Sequence, residues 1–373
     1  GEWWSEVVAA FEEQHPDITI DKQQIAYKDF VNQMTIRFAS GRPPEILELG
    51  SSSFGEFAAQ DWLQPLDDRI KGSSIDGNWS SLQSQIVWDG KNQGLLLMGY
   101  GFMLFYNEQL LGDSGVKPPT SFEEFTAAVG AITDRDQGIF GLAAVTTEHP
   151  TVVIDFLRFI TWQGQELIAN GNYNLTDPEV VEAIEVYRHT VGGNAPLGNN
   201  STIARQLFND GKTGFLIDGP WVWARLASAS EDIRPHLKMM PAPFAPKLGG
   251  AANSIHIPAS LDEAAQDKVW SFIELLAEPE WQRQYMLLTA SPPGRVNVLT
   301  AEDKRDNPHL EAIATAADGA VPFLPQLEPI LSNSNEFSAI IMRAALQVLS
   351  TDDPVNEILA EAQSELERAI PLN

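Results

Sequence analysis

At 373 residues the chain is long enough for about two domains and needs no staples to bury a core. Its formal charge of −27 repels phosphate backbones and anionic lipid, which excludes nucleic-acid binding, and 43% hydrophobic residues exclude disorder. The absence of cysteine removes disulfides, thiol catalysis and cysteine metal sites together, while leaving the compartment open.

The chain opens directly on a helical pattern, with Trp4, Val7, Val8 and Phe11 on one face, as a processed or trimmed chain would. Ile18-Thr19-Ile20 alternates like a strand. Phe30, Met34 and Phe38 are in helical register up to Pro43-Pro44, and residues 45–49 form the next strand pattern. Gly50 to Ser53 then makes a small-residue loop that opens a helix at Phe54. The apolar stretch from Gly94 to Tyr106, interrupted by glycines, reads as a buried strand and falls short of the ~20 residues of a membrane helix. Ser121 with Glu124, Thr176 with Glu179 and Ser260 with Glu263 have capping-box spacing ahead of apolar helical stripes. From Pro322 the chain is almost all helix. One stripe runs through Phe337, Ile340, Ile341, Ala344 and Val348; a second runs through Val355, Ile358, Leu359, Ala362 and Leu366. They are expected to form a helical hairpin packed on a sheet. This alternation of strands and helices, without repeats or a flexible linker, predicts an α/β protein whose domains are joined by close crossings.

Signatures of enzymatic chemistry fail position by position. Gly211-Lys212-Thr213 ends like a phosphate-binding loop, but Gln206 stands where that loop needs glycine. Asp134-Arg135-Asp136-Gln137-Gly138 resembles a calcium loop with its glycine one residue early and a carboxylate missing. The six histidines are scattered, and Ser51 to Ser53 lack the second glycine of a nucleophile elbow. A glycosidase carboxylate pair stays open on sequence alone, because carboxylates are so abundant. The ten tryptophans are more telling. Trp221 follows the turn Asp218-Gly219-Pro220 after a strand from Gly214 to Ile217, and Trp162 precedes Gln163-Gly164. Ligands of open α/β sheets bind beyond the carboxyl ends of strands, and an indole face packs well on the C–H face of a sugar. Trp4, Trp62, Trp79 and Trp270 are read instead as core.

Several motifs, in order and at family spacing, carry a resemblance over nearly the whole chain. Ala39-Ser40-Gly41-Arg42-Pro43-Pro44-Glu45-Ile46 is followed by Tyr106-Asn107, Leu110, Gly115, Pro118-Pro119-Thr120 and Glu123-Glu124. Gly214 to Trp221 ends in Gly-Pro-Trp, and Leu248-Gly249-Gly250 precedes Ile255-His256-Ile257-Pro258. These resemble the extracellular solute-binding proteins of ABC importers, in the class that includes maltose-binding protein. Glu45 stands where that family usually has Asp, and the strand and loop that open its members precede the first residue of this chain.

The resemblance implies a two-lobed α/β fold of the type II periplasmic-binding-protein kind, with a hinge and an interlobe ligand cleft. It implies an N-terminal lobe of residues 1–107 plus 253–296 and a C-terminal lobe of 108–252 plus 297–373. It further implies capture without catalysis, no cofactor and no metal. The partners would be a small solute, most simply a sugar or sugar derivative, and the membrane permease. The protein would be a periplasmic or extracellular monomer, soluble or lipid-anchored. The candidate contacts are Ser51, Ser52, Ser53 and Tyr100 from the first lobe, Trp162, Gln163, Asp218 and Trp221 from the second, and Gly249, Gly250 and Arg295 at crossings, with Trp3 as a further candidate. Arg295 is read as binding an anionic group or pairing with Asp218.

Overall fold

A computed structural model describes residues 2–25 and 27–372. The chain divides into two compact units: residues up to Tyr100 with Gly250–Glu311, and Gly101–Gly249 with the residues from Ala312 on. The backbone therefore passes from one unit to the other after Tyr100, after Gly249 and after Glu311. Residues 297–311, expected with the C-terminal lobe, cluster with the first unit. There the helix Ala301–Asp306 is tied to the helix Pro279–Thr289 by a two-point pair between Arg283 and Asp303, at 2.7 Å on each arm. The same Asp303 side chain closes a capping box with Thr300.

The first unit is built on a small sheet. Strand Leu47–Leu49 runs antiparallel to Leu248–His256, with Leu49 opposite Ser254, and Leu95–Gly101 pairs with that same long strand. The expected strand at Ile18–Ile20 is chain without a ladder: alternation marks a surface that suits a sheet, but a strand also needs a partner for its backbone. The helix Glu2–Gln14 buries Trp3, Val7 and Phe11 against Val269, Trp270, Phe272, Ile273 and Leu276 of helix Glu263–Leu276. Trp4 and Trp79 pack at the margin of this core, and Trp62 stacks on Phe38 at 5.1 Å, so these three and the buried Trp270 are structural, as expected.

The second unit carries a sheet in the order Leu237–Pro241, Met103–Asn107, Thr213–Asp218, Phe140–Ala143. The first two pairings are antiparallel and the last is parallel. Gly94 to Tyr106 is thus two strands broken at Phe102. Helix Phe122–Ile132 lies so close to the sheet that a Cβ on Gly141 would sit 1.9 Å from the Val129 carbonyl oxygen. The C-terminal stripes form the helices Ser334–Ser350 and Val355–Ala369, with the expected faces buried. That hairpin packs on the helices Pro150–Thr161 and Pro178–Tyr187 rather than on the sheet.

Helix starts show where acidic caps outcompete hydroxyls. Ser121 caps its helix by accepting from the Glu124 amide, while Glu124 reaches Thr120. The caps expected at Thr176 and Ser260 are instead Asp177 and Asp262, whose carboxylates sit closer to the first turn and complement its dipole. Asp134 of the calcium-like stretch caps the short turn Arg135–Gln137, and the described residues hold no cluster that would ligate a metal.

His256 is fully buried beneath the first unit's sheet. Its Nδ1 lies 2.8 Å from the Gln93 carbonyl oxygen and therefore carries the proton, while Nε2 accepts from the Ser254 hydroxyl at 2.7 Å. Burial pushes its pKa down from 6.5 to about 4. A depressed histidine stabilises the fold above its unfolded value and loses that contribution as pH falls from 6.5 toward 4, here by about 3 kcal/mol. In chemical denaturation, His256→Gln should therefore lose less stability than the parent between pH 7 and pH 4.5. Equal losses would remove His256 from the acid response.

Candidate functional site

The carboxyl ends of the parallel strands Phe140–Ala143 and Thr213–Asp218 lie side by side in the second unit. Two helices start next to them, Pro150–Thr161 and Ser201–Asn209, capped by the side chains of His149 and Asn200. The loops leading into these helices are laced together. Thr146 Oγ1 donates to the Pro196 carbonyl at 3.1 Å and accepts from the Asn199 amide at 3.0 Å, and Thr147 Oγ1 donates to the Asn199 carbonyl at 3.1 Å. A cavity of about 10 Å³, the room of one water-sized group, opens here among Thr151, Asp155, Arg158, Ser201 and Asp218.

Asp218 ends its strand in a fork with Arg205. Arg205 Nε donates to Oδ2 at 2.8 Å and Nη2 to Oδ1 at 3.2 Å, and the Gly219 amide adds a third bond to Oδ1 at 2.7 Å. Pro220 then starts a short 3₁₀ helix that returns Trp221 over the turn. A Cβ on Gly219 would lie 2.1 Å from the Trp221 ring, so the glycine is what lets the indole lie flat against the backbone. His149 Nδ1 accepts from the Thr151 amide at 3.1 Å, which leaves its proton on Nε2, 3.5 Å from the Ser201 hydroxyl. Burial first, then the Arg205 charge, hold this imidazole below its ordinary pKa, against the pull of Asp218, so it is neutral at pH 7.

Behind the cavity, Asp155 pairs with Arg158 one turn along the same helix. Both are buried, and Arg158 lies against the rings of Phe102 and Trp162 at 5.2 and 5.5 Å while reaching the Ile217 carbonyl. Burial, together with the charge of Asp218, pushes the Asp155 carboxyl up to about 6 in spite of Arg158. Arg158 Nε and the hydroxyl of the adjoining Tyr187 are buried without a hydrogen-bond partner.

The structure sorts the sequence candidates. Asp218 and Trp221 stand together at the strand end. Trp162 is 6% exposed among Phe102, Phe122 and Phe244, with Nε1 donating to the Pro246 carbonyl at 3.1 Å; it is a core residue of the second unit. Gln163 donates to the carbonyls of Phe159 and Ala183 at 2.6 and 3.0 Å and so clamps two helices. Trp3 is 5% exposed in the first unit's core and donates to the Trp281 carbonyl. Arg295 is not the partner of Asp218, which Arg205 takes. Its guanidinium lies over Trp79 and donates to the carbonyls of Ala277 at 2.8 Å and Ser74 at 2.7 Å, stitching loops of the first unit.

Ser51 to Ser53 form the first turn of the helix Ser51–Ala58, directly after strand Leu47–Leu49, with Gly50 rather than a serine at the cap. The side chains of Ser51 and Ser52 lie outside the described residues. Tyr100, Gly249 and Gly250 are buried at the points where the chain passes between units. Sequence reasoning missed Arg205, His149, Ser201, Asp155 and Arg158. Readable signals existed: Asn199-Asn200-Ser201 is a helix start that sets Arg205 one turn in, and Asp155 with Arg158 is a charged pair in an otherwise apolar helix.

A half-buried indole on a Gly-Pro turn, beside an ion-paired fork, is an arrangement that suits a small polar molecule. These residues sit at strand ends, where ligands of open α/β sheets bind, on a chain of two units with three crossings. The chain belongs to the bacterial extracellular solute-binding protein family, whose model matches residues 1–283. It is similar to the diacetylchitobiose-binding protein DasA of Streptomyces coelicolor, 24% identical over 355 residues that cover 90% of this chain and 80% of DasA. In structure it resembles UgpB of Mycobacterium tuberculosis in complex with glycerophosphocholine, at TM-score 0.84 and 17% identity over 99% of this chain and 95% of UgpB. It also resembles maltose-bound MalE3 of T. maritima, at TM-score 0.81 and 20% identity over 98% and 96% of the two chains. The fold is therefore the two-lobed one of these binding proteins, and the family is non-enzymatic and extracellular.

The placement of Trp162 makes a measurable distinction. Trp162→Ala should cost about 3–5 kcal/mol in urea titration, as large-to-small changes in aromatic cores do. Parental stability in that variant would move the indole out of the core.

Proposed function

We propose that this protein captures a carbohydrate or sugar-like solute and delivers it to the membrane permease of an ABC importer. The observation that carries this reading is the Trp221 indole, held against Gly219 beside the Asp218–Arg205 fork. An indole face suits the C–H face of a pyranose ring, and ordered polar groups at its rim suit hydroxyls. An indole already packed against the Gly219 backbone would lose little side-chain entropy on binding. Relatives point the same way, since their names record diacetylchitobiose and maltotriose, and similar structures carry maltose and tagatose. Ribitol and glycerophosphocholine in other similar structures keep polyols and glycerophosphodiesters within the solute range.

From the first unit, Ser51, Ser52, Ser53 and Tyr100 are our candidates for further contacts, and Gly249 and Gly250 for close backbone approach. A solute that engages both units favours the closed arrangement only by its higher affinity for it. The passages of chain after Tyr100, Gly249 and Glu311 supply the hinge in this reading.

A thermal-shift screen of sugars and polyols tests capture directly. The cognate solute at 100-fold over its Kd should add about 2.7 kcal/mol of stability and compact the protein in small-angle scattering. Trp221→Ala should weaken that binding by about 2 kcal/mol and leave the solute-free Tm nearly unchanged. Unchanged affinity with a much lower Tm would make Trp221 a core residue and remove it from the site.

A further inference from the structure

Hydrogen-bonding capacity around the cavity of the second unit is lopsided. Arg205 uses Nε and one hydrogen of Nη2 on Asp218, and no other partner engages it among the described residues, so both hydrogens of Nη1 and the second of Nη2 stay available. Arg158 Nε is a further buried donor without a partner, on a side chain lining the cavity that is 5% exposed. The proton of His149 lies on Nε2, facing Ser201, whose hydroxyl hydrogen is then available as well. Acceptors are fewer. Asp218 already takes three bonds, and Asp155, at the foot of the cavity, has its charge matched by Arg158, though its Oδ1 is, like Arg158 Nε, without a well-aligned hydrogen bond.

A hydroxyl group brings a hydrogen that needs an acceptor of its own, whereas a carboxylate brings only acceptors. Asp218 also fixes one edge of the Arg205 guanidinium and leaves the other as a planar two-donor face, the geometry that matches a carboxylate. We propose that this cavity and the outer edge of Arg205 bind the carboxylate of an acidic sugar, so that the solute is a uronic acid or an oligosaccharide ending in one. The proposal rests on the reading of the protein as a sugar-capturing one and narrows its substrate. Trp221 takes the ring face, and Arg205, with Ser201 and His149, reads the acid. Arg205 is then the residue that sets specificity against the neutral parent sugars, which leave its donors unmatched.

The experiment is calorimetric titration of the full chain with matched pairs: glucuronate against glucose, galacturonate against galactose, digalacturonate against a neutral disaccharide, and glucose 6-phosphate as a phosphate control. At least one uronate should bind 30-fold or more tighter than its neutral parent. Arg205→Gln should erase that preference through a loss of about 100-fold for the acid, and Arg205→Lys should not restore it, because an ammonium lacks the planar edge. Circular dichroism and Tm report whether these variants fold. Should the unpaired Asp218 carboxylate unfold them, the double change Arg205→Gln with Asp218→Asn removes the charge pair and repeats the comparison. Ser201→Ala should cost the uronate several-fold. Neutral sugars binding as tightly as their acids would overturn the acid site and leave sugar capture standing. Preference for the phosphate would overturn the carboxylate assignment. No stabilisation by any sugar, acid or polyol would overturn this inference together with the reading beneath it.

Discussion

The second unit is organised around a guanidinium that is almost wholly buried. Arg158 projects from an apolar helix into a space bounded by Phe102, Trp162 and the strand Thr213–Asp218. A charge in that position persists only if it is matched, and Asp155 on the same helix matches it. The pair then fixes its surroundings. Its aromatic neighbours extend into the Phe122, Phe159 and Phe244 cluster that seals helix to sheet. Its reach to the Ile217 carbonyl pins the residue just before Asp218. The geometry of the turn that begins at Asp218 therefore depends on an ion pair completed within the unit itself.

Much of this architecture was legible in the chain. Period and spacing located the helices at Trp4–Phe11, Phe30–Phe38 and in the C-terminal hairpin, because each buries a continuous apolar face that tertiary contacts do not override. The turn Asp218-Gly219-Pro220-Trp221 was legible for a related reason: proline fixes a start, glycine permits a close approach, and the strand before it is uniformly apolar. What remained hidden depended on distance in three dimensions. Trp3 and Trp162 looked like ligand platforms, since nothing local distinguishes an indole with a core around it from one at a rim. Arg295 and Arg205 are both isolated arginines in sequence, and only the fold shows that one stitches loops while the other holds Asp218. Ile18–Ile20 had the right alternation and lacked a neighbouring strand, which no local pattern reports.

The turn at Asp218 also bears on how charge is arranged locally in a strongly acidic protein. A net charge of −27 sets the long-range field, which counter-ions screen over about 10 Å at 0.1 M salt. Inside that distance the arrangement of individual donors governs. Asp218 is used internally, as a brace for Arg205, so a carboxylate in a binding turn can raise the donor character of the site instead of its acceptor character.

Each unit draws on stretches far apart in the chain, and this bears on the order in which the protein can be made. Trp3 donates to the carbonyl of Trp281, 278 positions later, and Tyr173 donates to that of Ile370 across 197. A ribosome that has released the first helix has not yet supplied the surface on which that helix is to rest. Neither core can close until most of the polypeptide is available, and contacts of such long range slow folding. For a protein that must cross a membrane before it works, late closure keeps the chain pliable during passage, when a finished core would block it.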